Sequence, residues 1–230
     1  MRTYLESEDI AKLAAAATNQ RDCLLINMLF QEGCRISELL AAAVDDIDFQ
    51  NSTIRIQHLK VRLSLSCPEC RARLSRNSIF CPKCGVKVKE AVAKEVEKRR
   101  QRILPINRRV LDMLKNYIQR GGPVVKNGKG LIFGINRHRA WQIIKSCAER
   151  AGLPKLINQE TGKVHNVSPH RLRDAFSVHA VKVNDSGDGL RMLQQHLGHQ
   201  SITTTMRYRK VAGEELKQWY EKLWKDKDDH

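Results

Sequence analysis

The sequence predicts an α+β fold: a mainly helical domain with a small antiparallel β-sheet, interrupted by an inserted mini-domain. Three observations carry this. Apolar residues recur at helical spacing through much of the chain, as in Leu24, Leu25, Met28 and Leu29. The segment Thr53-Ile-Arg-Ile-Gln-His58 instead alternates apolar and polar residues, as a half-buried strand does. Its natural antiparallel partner, Gln101–Ile106, lies about forty residues on, where a hairpin loop usually spans about two to five.

The elements follow in order. Ser7 is placed to cap a first helix, with Glu8 and Asp9 in the turn where the helix dipole favours negative charge. A second helix runs from about Gln20 to Glu32 and ends at Gly33, which accepts a left-handed C-terminal turn. A short third helix covers Ser37–Ala43. Pro105 suits an edge or the end of the returning strand, since it cannot donate to the ladder. Asn107 caps a helix to about Ile118, Gly121-Gly122-Pro123 breaks the chain, and Asn127-Gly128 makes a turn. Asn136 or Ile135 precedes a helix over about Arg137–Ala151 that stops at Gly152. Ser168-Pro169 opens the next, because proline's fixed φ suits a first helical turn. Gly187-Asp188-Gly189 separates it from a helix over Leu190–Leu197, and Ser201 caps a short helix leading to Tyr208. A last amphipathic helix, Glu214 to about Lys225, carries Leu216, Trp219, Tyr220, Leu223 and Trp224 near one face.

Charge narrows the partner. A formal net charge of +16 over 230 residues, with pI near 9.8, calls for a polyanion, and nucleic acid is the natural one. No apolar run approaches the roughly 18 residues of a membrane span, and the N-terminus has no signal-peptide pattern. The chain therefore reads as cytoplasmic, with no membrane partner. No ATP-binding loop is present: Gly128-Lys129 lacks the glycine five residues earlier.

Four of the seven cysteines form two Cys-Pro-x-Cys pairs, Cys67/Cys70 and Cys81/Cys84, separated by ten residues. That is the spacing of a zinc ribbon, with two knuckles and four thiolates around a tetrahedral Zn²⁺. Gly85 suits the tight turn after the second knuckle. So small a segment buries too little surface to fold alone, so a structural metal would supply its stability. Cys23, Cys34 and Cys147 lie in helical patterns and read as ordinary buried thiols.

The chemistry is concentrated in two stretches. Gly33-Cys34-Arg35-Ile36-Ser37-Glu38-Leu39 places an arginine at a helix start, and Val167–Lys210 holds His170-x-x-Arg173, then Leu197-Gly198-His199, then Tyr208 nine residues on. Attack on a phosphodiester piles negative charge on the nonbridging oxygens, and positioned arginines can neutralise it without a metal. Arginine suits this because its planar fork binds two oxygens and stays charged. Arg35 and Arg173 can converge on one phosphate, with Tyr208 as nucleophile and His170 and His199 hydrogen bonding the phosphate or accepting the proton. The leaving 5′-hydroxyl needs a general acid, for which Lys60, near the end of the first strand, is the choice. A 3′-phosphotyrosine product keeps the ester energy, so rejoining needs no ATP. Taken singly each residue has an ordinary structural use; the set, in this order and spacing, points to DNA cleavage and rejoining.

These motifs resemble the catalytic domain of the tyrosine recombinase (phage integrase) family. "EGCRISELLAAAVDDIDF" is similar to its first box, and "SPHRLRDAFSVHAV" and "LQQHLGHQSITTTMRYRK" to its second. The resemblance maps the family's catalytic positions onto Arg35, His170, Arg173, His199 and Tyr208, and its β-hairpin lysine, less directly, onto Lys60. It implies a site-specific recombinase or integrase acting on double-stranded DNA, with no cofactor for catalysis. A type IB-like topoisomerase and a catalytically silent DNA-binding regulator are the alternatives. Asp174 stands where many relatives have histidine, and Ala42 and Ala43 replace the usual leucine-arginine. The pattern starts almost at Met1, so the family's N-terminal DNA clamp is expected to be missing from this sequence, whether trimmed, naturally lacking or supplied by a partner.

The expected organisation is a discontinuous catalytic domain over 1–60 and 100–212, a zinc-ribbon mini-domain over 61–99, and a C-terminal helix and tail over 213–230. The insert's Arg71, Arg73 and Arg76, with Lys94, Lys98, Arg99, Arg100 and Arg102 of its return segment, are expected to contact phosphates; docking of a partner protein is the alternative role for the ribbon. The resemblance further implies that the C-terminal helix docks on a neighbouring protomer in a homotetramer assembled on DNA.

Overall fold

The computed structural model describes residues 3–75, 77–88, 92–158 and 161–209, with backbone alone along 58–64 and 92–100. The chain divides into two compact units: Met1–Ile56 with Arg102–His230, and Gln57–Gln101.

The larger unit opens with α1 (Ser7–Ala15), α2 (Gln20–Gln31) and α3 (Ile36–Leu40), followed by a 3₁₀ turn and β1 (Ile47–Asp48). Next in the chain are β2 (Thr53–Ser66), β3 (Arg73–Leu74) and β4 (Val92–Pro105). Then come α4 (Arg108–Gln119), the hairpin β5 (Val124–Lys126) and β6 (Lys129–Leu131), α5 (Arg137–Arg150), and the pair β7 (Leu156–Ile157) and β8 (Val164–His165). The described chain ends with α6 (Pro169–Val183), α7 (Gly187–Leu197) and α8 (Ile202–Met206). Strand β2 is the hub of the main sheet: β1 pairs antiparallel at its start, in the register Ile47↔Ile54, β3 pairs at its end, and β4 pairs along it.

Helix α2 is the centre of the main core. Leu24, Leu25, Met28 and Leu29 are fully buried, and the helix packs against α1, α4 and α6. Each such side chain contributes roughly 1.5–3 kcal/mol on burial. A smaller cluster of Val181, Leu190, Leu193 and Leu197, joined by Phe176, Met206 and Tyr208, seats α7 and α8 on α6. This second cluster fixes the segment that carries His199 and Tyr208.

Several expectations need correction. Glu6, not Ser7, is the N-cap of α1, because the Asp9 carboxylate accepts the Glu6 N–H at 3.0 Å. Helix α3 starts one residue early and stops at Leu40, where the chain turns toward β1. The two glycines at 187 and 189 lie inside α7, not before it: Ser186 caps the helix by accepting the Gly189 N–H at 3.0 Å. Gly189 is needed there because a Cβ would lie 2.6 Å from the Asn184 carbonyl oxygen. The paired strands are also longer than expected. Strand β2 runs past His58 to Ser66, and β4 begins at Val92, not Gln101. The expected helix from Glu214 to about Lys225 lies outside the described residues.

Candidate active site and metal centre

The site begins with a turn. Gly33 ends α2 with φ +53°, and a Cβ there would fall 2.2 Å from the Phe176 ring, so only glycine fits. The turn delivers Arg35 to the N-cap of α3. Glu38, one turn on and buried, ties this start together. Its Oε2 accepts the Arg35 backbone N–H at 3.0 Å, and its Oε1 accepts Arg35 Nη1 at 2.9 Å. Arg102, at the end of β4, donates Nη2 to Glu38 Oε2 at 2.7 Å and Nη1 to the His196 carbonyl at 2.8 Å. One buried carboxylate thus sits between two guanidinium groups.

Helix α6 carries His170, Arg173 and Asp174 in its first turns. Arg173 is 3% exposed, and its guanidinium is fixed from three sides. It donates Nη1 to the Gly33 carbonyl at 2.7 Å, and Nη2 to the Leu197 carbonyl at 2.9 Å and to His199 Nε2 at 3.1 Å. Burial, then the nearby Arg35 charge, lowers its pKa to about 10, which leaves it charged at neutral pH.

His199 follows Gly198, the left-handed residue that ends α7. Arginine has only donors, so His199 Nε2 must accept from it. The proton of the neutral ring is then on Nδ1, which donates to Thr205 Oγ1 at 3.0 Å. Burial, then Arg173 and Arg35, pushes the His199 pKa down to about 4, so the ring is neutral at pH 7.

Tyr208 stacks beside His199, with ring centroids 6.4 Å apart and 15° between planes. Its hydroxyl donates to Asp174 Oδ1 at 3.1 Å. Burial, then the Asp174 charge, raises its pKa to about 12. Asp174 Oδ2 accepts Arg171 Nη1 at 3.0 Å, and exposed His170 stands 3.9 Å from Oδ1.

Arg35, His170, Arg173, His199 and Tyr208 line a single cleft of about 980 Å³, shared with Asp174, Arg137 and Arg207. Its charged lining residues are five arginines and one carboxylate, so it suits a phosphate-bearing ligand. Lys60 lies on β2 within the Gln57–Gln101 unit, and its side chain is outside the described residues.

Sequence reasoning gave Glu38 and Thr205 no role, named Asp174 only as a departure from the family pattern, and read Arg102 as a phosphate contact, where its guanidinium instead bonds Glu38 and the His196 carbonyl. Signals existed for two of them. Glu38 stands three residues after an N-cap, the capping-box position. Asp174 is three and four residues after Arg171 and His170, the spacing of helical ion pairs. Arg102 and Thr205 are placed by tertiary packing that no local pattern announces.

The smaller unit holds the cysteine cluster. The Sγ atoms of Cys67, Cys70, Cys81 and Cys84 lie within 4.8 Å of one another, a set that could hold a metal ion. The two knuckles repeat one hydrogen-bond pattern. Cys67 O accepts from Arg71 N at 3.0 Å, as Cys81 O does from Gly85 N. Cys67 N donates to Ala72 O at 2.8 Å, and Cys81 N to Val86 O at 2.9 Å. Both fifth residues are left-handed, Gly85 at φ +71° and Arg71 at φ +57°. Backbone N–H groups of Cys84 and Lys83 lower the Cys81 pKa to about 6, while burial and the neighbouring thiols raise that of Cys84 to about 12, so Cys81 gives up its proton first.

Fold and motif together define the class. The chain belongs to the phage integrase family, whose pattern matches residues 3–215. It is 26% identical over 211 residues to tyrosine recombinase XerD of Corynebacterium glutamicum, covering 89% of this chain and 53% of that protein. The chain spans about half the length of the XerD relatives it matches. Its fold is that of the solved XerA recombinase, with TM-score 0.63 and 20% identity over 97% of this chain and 66% of that one. It is also that of the XerH site-specific recombinase, solved bound to a palindromic difH substrate in a post-cleavage complex. There the TM-score is 0.58 and the identity 18%, over 97% of this chain and 53% of that one. Among the described residues no helix is long and apolar enough to cross a membrane.

Proposed function

We propose that this chain is a DNA breaking-and-rejoining enzyme, a tyrosine site-specific recombinase working through a 3′-phosphotyrosine intermediate. The observation that carries this is the convergence of Arg35, Arg173, His199 and Tyr208 on one cleft in a member of the phage integrase family. Arg35 and Arg173 bind the nonbridging oxygens of the scissile phosphate and neutralise the charge of the transition state. Neutral His199 is oriented by Arg173 and Thr205, and exposed His170 adds a donor at the cleft mouth. Tyr208 attacks phosphorus, and Lys60 protonates the leaving 5′ oxygen. The charge stabilisation comes from side chains, so the chemistry calls for neither a catalytic metal nor ATP.

In this reading Zn²⁺ fills the four-cysteine cluster as a structural ion: four soft thiolates within 4.8 Å of one another suit it. The catalytic domain is discontinuous, 1–60 with 100–212, and the ribbon over 61–99 extends basic residues to DNA phosphates. The enzyme works in the cytoplasm and assembles as a homotetramer on DNA through the segment after Tyr208.

The test is covalent trapping on a nicked duplex that loses its 5′ strand after cleavage. Wild type should form a protein–DNA adduct, and Tyr208→Phe should form none while binding DNA nearly as well. Adducts with the Phe variant would reject the assignment of the nucleophile.

A further inference from the structure

We propose that Asp174 is the proton acceptor for the attacking tyrosine, a catalytic role that rests on the reading of Tyr208 as nucleophile. Asp174 is 6% exposed and directs one carboxylate oxygen at the reacting atom: Tyr208 Oη donates to Oδ1 at 3.1 Å. Its other oxygen is occupied by Arg171 Nη1 at 3.0 Å, which fixes the carboxylate plane and offsets its charge. Of the two histidines named for this role, His199 is already committed. His199 Nε2 accepts from Arg173 and its Nδ1 faces Thr205, so the ring has no lone pair left for the phenolic proton. His170 Nε2 stands 3.9 Å from Oδ1, on the solvent side of the carboxylate.

Charge explains why an acceptor is needed. The nearby Arg173 charge favours a tyrosinate, yet burial and Asp174 hold the Tyr208 pKa near 12. The hydroxyl therefore stays protonated at neutral pH and must release its proton as it attacks. In the forward step the bond from Tyr208 Oη to phosphorus forms and the phenolic proton passes to Asp174 Oδ1. The bond from phosphorus to the 5′ oxygen breaks, and that oxygen takes a proton from the general acid. Rejoining reverses this: the 5′-hydroxyl attacks, and Tyr208 leaves and recovers its proton from Asp174.

Asp174→Asn keeps the shape and a hydrogen-bond acceptor but cannot take a proton. The test uses the full chain and duplexes selected from a random pool for cleavage by the wild type. Each is made with either the native 5′ oxygen or a bridging 5′ sulfur at the scissile phosphate. Sulfur leaves as a thiolate without a proton, so that substrate reports on the tyrosine side of the reaction alone. Asp174→Asn should slow adduct formation about 100-fold or more on both substrates, within the usual range for loss of a general base. Its rate should rise about tenfold per pH unit through neutrality, where the wild type is level.

A wild-type rate for Asp174→Asn, a faster one, or a defect that disappears with the sulfur substrate would overturn the proposal. A wild-type chain that forms no adduct on any duplex in the pool would remove the Tyr208 reading itself, and this role with it. Two further measurements test the contact and the role, the second on a different variant should Asp174→Asn fail to fold. Without DNA, the ultraviolet titration of Tyr208, taken as wild type minus Tyr208→Phe, should move to lower pH in Asp174→Asn, and an unmoved curve counts against the contact. Asp174→His, a base of higher pKa, should cleave with its pH profile displaced toward the histidine range, and a profile identical to wild type would also overturn the role.

Discussion

Gly198 makes room for Arg102: a Cβ at Gly198 would stand 2.5 Å from Arg102 Nη1, the atom bonded to the His196 carbonyl. The same glycine has φ +66°, a conformation that side chains resist. Backbone freedom and space are both used at one position. Gly198→Ala should therefore lower unfolding stability by about 1–3 kcal/mol, measured by urea denaturation. It should also slow adduct formation, because Arg102 supports Glu38 and His199 is the next residue. A variant as stable and active as wild type would mean that Arg102 relocates without cost.

Arg35 and Arg173 should separate in their side effects. Replacing either with alanine should cut single-turnover cleavage by about 10²–10³-fold, the loss of one transition-state donor or more. Arg173→Ala should destabilise the fold as well. The buried Gly33 and Leu197 carbonyls each lose a donor, at about 1–3 kcal/mol per group left unsatisfied. Arg35 has a side chain 37% exposed, so Arg35→Ala should melt much closer to wild type. Thermal unfolding beside cleavage kinetics checks both halves.

Glu32 gives a pH prediction. Both its carboxylate oxygens are buried without a partner among the described residues, and burial raises its pKa from 4.5 to about 8. The folded state holds a proton that the unfolded chain releases above 4.5. Its contribution is therefore full below pH 4.5 and is lost as pH rises to about 8, at roughly 1.4 kcal/mol per unit across that window. His199 has the opposite slope. Its pKa falls from 6.5 to about 4 on folding, so stability is lost as pH falls through that range. Glu32→Gln should remove the alkaline loss and keep the acid one. Melting temperatures from pH 4 to 9, compared with wild type, will show whether the difference grows with pH as required.

Metal content is directly measurable. Purified protein should carry one Zn²⁺ per chain, and Cys67→Ser with Cys70→Ser should lose it. Removal by a strong chelator should disorder the knuckles, seen as lost amide-exchange protection around Cys67–Val88. Cleavage by zinc-loaded protein should proceed in mild EDTA without added Mg²⁺. A strict Mg²⁺ requirement would contradict charge neutralisation by Arg35 and Arg173 alone.

Much of the site was legible because its residues sit at chemically meaningful spacings. Arg35 at a helix start, His170-x-x-Arg173 behind Ser168-Pro169, and Tyr208 nine residues past His199 are local facts, and all five residues line one cleft. The contacts that aim them are not local. Arg102 reaches Glu38 across 64 residues and His196 across 94. Strand lengths differ in how far the pattern carries them. Leu59, Val61, Leu63 and Leu65 alternate with polar residues, so the extension of β2 to Ser66 is legible in the sequence. The return segment from Val92 to Arg100 is mostly charged, and with so few apolar residues its strand had no comparable signal.

Arg173 is seated by the carbonyl of Gly33, 140 residues before it, and by that of Leu197, 24 residues after it. During synthesis the early partner waits and the late one has yet to be made. A chain stalled or broken before Leu197 lacks that carbonyl, His199 and the tyrosine together. In the proposed mechanism an unfinished copy therefore lacks part of the Arg173 seat and the nucleophile at once, and it should form no covalent adduct with DNA.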